Sequence, residues 1–486
     1  MSDSAAELSE RKRAIRARVE RQAGERDAWV ARNSYFYAED HRYLKFLIPP
    51  GLKVLELGCG VGHTLAALEP AHGVGVDFSP ATIERARQRY PALEFPSLEF
   101  HVGDVEDAGV LDGLPGPFDV ILLADTIGAL DDCQATLEKL HRLVTPETRI
   151  VIAYHSNLWE PILRAAELVG RKMPQETQNW LSSSDIAALL ALAGFDVVKR
   201  EWRQLIPKRA FGLGPLVNRY IATLPYLNRL AMRKYLVARP QPTAPLGELS
   251  ATVVIPCKNE RGNIEPAVAR LPQFCADLEI LFVEGGSSDG TRAEIERVIA
   301  AHPERRLRLV QQDGKGKGDA VRKGFAEAKG DVLIILDADL TVPPEWIPRF
   351  YQAIRSGAGE FINGSRLVYP MEDEAMRILN LMANRVFSWL FTWLLNQRFT
   401  DTLCGTKVIR ARHYRRLIES RAYFGDFDPF GDFDLIFGAT KLNLKVVEIP
   451  VRYASRRYGE TQISRFRHGW LLLQMVVFAF RKLKAF

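Results

Sequence analysis

Val332-Leu333-Ile334-Ile335-Leu336-Asp337-Ala338-Asp339 decides how the C-terminal half folds and which chemistry to look for there. An unbroken apolar run rich in β-branched residues is the pattern of a strand buried on both faces of a parallel sheet, and this one stops at two carboxylates one residue apart. The carboxyl edge of an open α/β sheet is where ligands bind. Side chains two apart on an extended chain share a face, so Asp337 and Asp339 can both lean towards one divalent cation and the phosphates it bridges. An Asp-x-Asp by itself is commonly a solvated strand end, so its surroundings decide the matter.

Working outward, residues 251–255 and 280–283 read as earlier strands of the same sheet. Val253-Val254-Ile255-Pro256-Cys257-Lys258-Asn259-Glu260 and Val283-Glu284-Gly285-Gly286-Ser287-Ser288-Asp289-Gly290-Thr291 bring polar groups to the same edge as the acid pair. Between them and the pair, Gly314-Lys315-Gly316-Lys317-Gly318-Asp319 reads as a flexible loop whose two cations suit a diphosphate. In this order the motifs resemble the inverting family 2 glycosyltransferases of the GT-A fold, from about residue 250 to the C-terminus. The resemblance implies that Pro256, Glu260, Glu284, Asp289, Lys317 and Asp337 bind a nucleotide-sugar. It implies too that Asp337 and Asp339 hold Mg²⁺ or Mn²⁺ against the diphosphate, stabilising the charge on the leaving group. Glu284-Gly285 stands where the family commonly has two consecutive acids.

Further on, Asn363-Gly364-Ser365-Arg366, Ala383-Asn384-Arg385, Thr400-Asp401-Thr402-Leu403-Cys404-Gly405, Phe433-Asp434-Leu435, 447–453 and Arg456-Arg457-Tyr458-Gly459-Glu460-Thr461 are similar to dolichyl-phosphate mannose synthases and bacterial polyprenyl-phosphate glycosyltransferases. In that branch an acceptor phosphate attacks the anomeric carbon. It is already ionised at neutral pH, so it needs cations to position it more than a base. The likeness implies Arg366 and Arg456 for that role, with Arg377 beside them, and Asp401 and Asp434 bordering the acceptor side; with Asp339 these form the expected catalytic set. Thr341 and Gln462 depart from the Gln and Lys common there.

The N-terminal half carries a second chemistry. The strand Val54-Leu55-Glu56-Leu57 runs into Gly58-Cys59-Gly60-Val61-Gly62 and a helical pattern from Thr64. The glycines permit close approach of a ligand to backbone amides at a helix start. Such a loop serves a dinucleotide, S-adenosylmethionine or a tight helix–strand contact. Asp77 ends the second strand, before a Ser79-Pro80 helix start, and is placed to accept from ribose hydroxyls; Asp104 ends a third strand. Strand-like runs at 119–123 and 149–153, a helix over 180–193 and a late strand at 197–202 complete a doubly wound parallel sheet. The ordered motifs, with Phe118-Asp119-Val120-Ile121 and Leu140-His141-Arg142-Leu143-Val144, resemble class I S-adenosylmethionine-dependent methyltransferases over residues 30–205. That implies Glu56, Gly58, Gly60, Gly62, Asp77, Asp104 and Val105 around the cofactor, with Glu56 where Asp is commoner. Asp125, Tyr154 and His155 follow the fourth and fifth strands, where a neutral His can take a proton from an acceptor hydroxyl.

The expected architecture is therefore α/β, with two Rossmann-like domains: a charged helix over 1–29, a methyltransferase-like domain over 30–238, a Pro-rich linker over 239–249 and a glycosyltransferase domain over 250–486. At 486 residues the chain exceeds what one core usually serves. Hydrophobic residues at 47% and charged ones at 26% exclude a disordered or fibrous chain. A net charge of +6 over this length gives no ground for a nucleic-acid partner. The five scattered cysteines lack zinc spacing and fit a reducing cytoplasm. The Arg/Glu-rich start is neither a signal nor a transit peptide and reads as a solvated helix. Residues 386–395 and 470–480 are too short to cross a bilayer; with their tryptophans and basic flanks they read either as core helices or as interfacial ones on the inner face of an anionic membrane. The expectation is a bifunctional, peripheral transferase. It uses S-adenosylmethionine and Mg²⁺ or Mn²⁺, and it moves a sugar from a nucleotide-sugar donor to a polyprenyl phosphate. Two rival expectations are a soluble glycan acceptor and a non-catalytic methyltransferase-like module.

Overall fold

The computed structural model describes residues 8–176, 178–369, 378–419, 421–423, 433–456, 458 and 465–486, with the backbone alone at 378–381, 422 and 465–468. The chain forms two compact units, residues 1–241 and 242–484.

In the first unit three helices, α1 (Glu10–Gln22), α2 (Arg26–Arg32) and α3 (Ser34–Leu47), precede a seven-stranded sheet. Its strands are β1 (Lys53–Leu57), β2 (His72–Asp77), β3 (Leu98–Val102), β4 (Val120–Ala124), β5 (Arg149–His155), β6 (Phe195–Arg203) and β7 (Arg233–Pro240), in the order β3-β2-β1-β4-β5-β7-β6. The order reverses between β1 and β4, which opens a crevice at the carboxyl end of β1. Alternate residues Leu55, Leu57, Val74, Val76, Ile121 and Leu123 pack one core face, as strands covered on both sides require. Two short helices follow the loops, α4 (His63–Ala67) and α5 (Pro80–Arg89), and Ser79 caps α5 ahead of Pro80.

Three expectations need correction here. The sheet is mixed, because β7 runs antiparallel between β5 and β6. Arg239 and Pro240, read as the start of a linker, are the end of β7, and Pro240 stands opposite Phe195 at the strand's end, where a missing amide costs little. The N-terminal segment is not a solvated helix: Lys12 and Ala23 are buried in the first unit.

The second unit has its own core and sheet. Its strands are β8 (Ala251–Cys257), β9 (Leu278–Glu284), β10 (Arg306–Gln311), β11 (Val332–Ile335), β12 (Phe361–Ser365), β13 (Lys407–Arg410) and β14 (Val446–Pro450), in the order β10-β9-β8-β11-β13-β12-β14. Only β13 opposes its neighbours, β11 and β12. The proline-rich stretch after residue 241 lies along this unit: the Leu246 amide donates to the Arg355 carbonyl, and Leu249 exchanges hydrogen bonds with Tyr351. Lys317 opens the helix Lys317–Glu327, so the Gly-Lys segment is a helix entrance, not a flexible loop; Gly314 N donates to Asp319 (2.7 Å) and Gln312 Nε2 to the Gly316 carbonyl (2.7 Å). The helices Ile378–Leu395 and Arg465–Leu483 touch through Trp393 and Phe480, with ring centroids 5.7 Å apart. Each buries one apolar stripe (Phe391, Leu394; Met475, Ala479) and leaves another exposed (Met382, Val386, Trp389; Trp470, Leu473, Val477). Among the described residues no helix is long and apolar enough to cross a membrane.

Candidate functional sites

At the crevice of the first unit the glycine loop is shaped by its neighbours. Gly58 (φ 73°) lies against Thr126, whose hydroxyl would be 2.4 Å from a Cβ there; Gly62 (φ 78°) lies against the Phe100 ring. A Cβ at Gly60 would meet no atom within 4 Å, so the space above that residue belongs to the cavity and suits a ligand lying on the backbone. Gly58, Gly60, Asp77, Asp104 and Val105 line this cavity of about 220 Å³. Asp77 accepts from Gly60 N and Ser79 N (both 2.9 Å), so it braces the loop as well as facing a ligand; burial raises its pKa despite these bonds.

Glu56 and Gly62 are not on the cavity wall. Glu56 is buried, its Oε2 has no hydrogen-bond partner among the described residues, and burial lifts its pKa to about 8. Sequence reasoning missed the roof. Ile15 and Val19 of α1 and Arg26 of α2 line the cavity, and Lys12 Nζ reaches both oxygens of Asp104 (2.7 and 2.5 Å) and Glu106 (2.5 Å). Arg11 fastens the same helix through the carbonyls of Gly128 (2.8 Å) and Leu130 (3.0 Å). The signal available was the Ile15, Val19 pair at helical spacing within the charged run.

Asp125 lines the cavity too, held at φ 60°. It accepts from Arg233 (2.5 Å) and lies 3.0 Å from His155 Nδ1, while Arg233 is clamped by Asp40 on α3 (2.9 and 3.0 Å). Burial opposes the Asp125 charge, but Arg233 and then His155 hold its pKa well below the ordinary carboxylate range. Tyr154 instead bonds Ser183 (2.9 Å) and is buried, so it serves packing.

In the second unit Pro256, Glu260, Lys317, Asp337, Asp339 and Arg456 line one cleft of about 580 Å³, joined by Lys258, Gln312 and Tyr453. Asp337 lies just past β11 and pairs with Lys317 (2.7 Å); burial works against its charge, and Lys317, Lys407 and Arg366 keep its pKa below the usual value. Asp339 accepts from Thr341 N (3.1 Å) and its hydroxyl (2.8 Å), and Arg456 bridges Asp339 (2.8 Å) and Glu260 (3.2 Å). Burial raises the Glu260 pKa. Gly405 lies against Asp337 of the acid pair: a Cβ there would be 1.9 Å from its Oδ2.

Other expected residues are not among those lining the cleft. Glu284 accepts from Ser287 N (2.6 Å) and Asp289 from Thr291 N (3.0 Å) and Arg261 N (3.2 Å), bonds that shape loops. Arg366 makes a two-pronged pair with fully buried Asp401 (2.7 and 2.9 Å), which also takes Asn384 Nδ2 (3.2 Å). That pair ties down the residue that follows β12, with the Arg366 guanidinium 5.1 Å from the ring centroid of Tyr453, a cleft residue. Asp434 faces Arg322 (3.4 Å) and Arg421 (3.5 Å), away from the cleft wall. Arg377 and Gln462 lie outside the described residues.

Comparison with known proteins follows the same division. Residues 48–206 match the family described as methyltransferase domain, and residues 252–420 match glycosyl transferase family 2. The chain joins a methyltransferase domain to a family 2 glycosyltransferase domain. It is 28% identical over 230 residues to an undecaprenyl-phosphate 4-deoxy-4-formamido-L-arabinose transferase of Klebsiella pneumoniae, covering 46% of this chain and 66% of that protein. It is 38% identical over 122 residues to a dolichol-phosphate mannosyltransferase of Pyrococcus furiosus, covering 25% and 34%. The chain thus spans about two thirds of one curated relative and about a third of the other. Among solved structures, a possible histamine N-methyltransferase of Thermotoga maritima is 18% identical over 46% of this chain and 99% of its own, with a TM-score of 0.35. Both matched families are described as transferases, one of methyl groups and one of glycosyl groups. In the methyltransferase domain the match spans the glycine loop, Asp77 and Asp125; α1, which roofs the cavity, precedes it.

Proposed function

We propose that the glycosyltransferase domain transfers a sugar, with inversion, from a nucleotide-sugar to a polyprenyl phosphate. The observation that carries this reading is the pairing of Asp337 with Lys317 and of Asp339 with Arg456 in one cleft. Two carboxylates lining one cleft are a hard-oxygen set suited to Mg²⁺ or Mn²⁺, and they would hold it. Such an ion, when bound, neutralises charge on a leaving diphosphate. Lys317 at a helix N-terminus is placed to follow diphosphate oxygens, and Arg456, released from Asp339, to position the attacking phosphate. The lipid phosphates in the names of both relatives support that acceptor class.

The methyltransferase domain we read as catalytic, with Asp125 orienting His155 to take a proton from an acceptor hydroxyl. The exposed apolar stripes of the helices Ile378–Leu395 and Arg465–Leu483 support a peripheral position on the inner face of the cell membrane. The decisive experiment screens sugar nucleotides for diphosphate release with Mg²⁺ and Mn²⁺, comparing wild type with Asp339→Asn. Release should fall about 100-fold or more in the variant; equal release would remove the metal assignment.

A further inference from the structure

We propose that the segment joining β6 to β7 docks the methyltransferase domain on an anionic lipid surface. Between these strands the chain makes a compact arm of short helical turns, Ala210–Gly212, Leu213–Leu216, Val217–Ile221 and Leu227–Leu230. Its outer side is apolar: Phe211 is wholly exposed, and Leu213, Leu216, Tyr220, Tyr226 and Leu230 are exposed beside it. A patch of this kind is unfavourable in water and marks a contact surface.

The arm is built, not loose. Buried Asn218 accepts from Leu205 N (2.8 Å) and Ile206 N (2.9 Å) and donates to the Ile206 carbonyl (2.7 Å) and Tyr35 Oη (3.0 Å). A Cβ at Gly214 would lie 2.0 Å from the Lys208 carbonyl, so the chain closes on itself there. Phe211 (φ 55°) and Tyr226 (φ 67°) are held at positive φ, an unfavourable backbone for a bulky side chain, and neither side chain is packed into the unit to repay it. Both rings point to solvent all the same.

Charge selects the occupant. No Asp or Glu occurs between Glu201 and Glu248, and Lys208, Arg209 and Arg229 are exposed on the arm. A second copy packed about a two-fold axis would set these cations against themselves. Aromatic tips for the acyl boundary, on a segment that carries cations and no acid of its own, fit anionic headgroups instead. The inference does not depend on the sugar-transfer reading, which concerns the other domain.

All five native cysteines are buried, so single surface cysteines can be labelled in the full chain. Phe211→Cys, Tyr226→Cys and, as control, exposed Gln88→Cys would carry an environment-sensitive dye. With vesicles of phosphatidylcholine containing phosphatidylglycerol, emission should move to the blue at 211 and 226, stay put at 88, and revert with salt. Vesicles of phosphatidylcholine alone should give little change. The triple variant Phe211→Ser, Leu213→Ser, Tyr226→Ser should partition about tenfold or more weakly, with affinity for S-adenosylhomocysteine unchanged. Vesicle binding without a shift at 211 and 226 overturns the proposal by placing docking elsewhere. A shift that follows protein concentration without lipid overturns it in favour of a second copy, and an equal shift with soluble polyglutamate in favour of an acidic protein.

Discussion

A methyl group added at Gly405 would lie 1.9 Å from Asp337 Oδ2 and 2.6 Å from Lys317 Nζ, distances no packed structure keeps. Gly405→Ala should therefore push the Asp337 carboxylate off its place and lower sugar-nucleotide turnover about tenfold or more, since small misplacements at a reacting centre are costly. Unchanged turnover in steady-state assays would mean that Asp337 does not act from where it stands. Glu56 gives a second, electrostatic test. Its pKa of about 8 in the folded chain exceeds the unfolded carboxylate value of about 4.3, so the folded state holds that proton more tightly. The stability this contributes is complete below pH ~4.3 and is lost as pH rises through about 8. Glu56→Gln keeps the shape and removes the charge. Urea unfolding should find it close to wild type near pH ~4.5 and about 5 kcal/mol more stable near pH ~9; no gain at the higher pH would sink the explanation. At this scale Asp77 and Asp337 were legible because the sheet edge places them, whereas the strand period did not place Asp339, which lies in a turn beyond β11. Gly405, and the Asp401–Arg366 pair that ties Arg366 down, were not, because both depend on residues tens of positions away.

Elements were legible where local pattern and tertiary environment agree. Apolar runs gave β1, β2, β4, β5, β8, β9 and β11, and Ser79-Pro80 gave the start of α5. β7 was misread because its first residues are Arg233 and Lys234 and its last is Pro240, which locally look like loop and linker. Arg233 is nevertheless fully buried, because Asp40 and Asp125 neutralise it from distant parts of the chain. α1 was misread for the same reason: alternating Arg and Glu suggest a solvated face, but Lys12 finds Asp104 and Glu106 across the cavity. That contact makes a prediction about the element. Lys12→Met leaves two neighbouring carboxylates without their shared cation and should loosen α1, exposing the cavity wall formed by Ile15 and Val19. Affinity for S-adenosylhomocysteine, measured by calorimetry, should fall about tenfold or more. Equal or tighter binding would show that α1 covers the cavity without closing it.

For the whole molecule, the sequence showed two α/β halves because the alternation restarts near residue 250, and each half has its own sheet and core. The cavity of the first is lined by residues from Lys12 to Gln178 and the cleft of the second by residues from Pro256 to Arg456, so the sites share no side chain. Substitutions without shared partners act additively to within about 0.5 kcal/mol. The two chemistries should then separate cleanly. Asp339→Asn should abolish diphosphate release and leave binding of S-adenosylhomocysteine as in wild type. Asp77→Asn, which alters the group bracing Gly60 and the start of α5, should weaken that binding about tenfold or more and leave diphosphate release intact. Paired measurements on both variants decide it: if either substitution moves both readouts, the domains communicate through a coupling free energy, and the chain works as one device instead of two enzymes on one polypeptide.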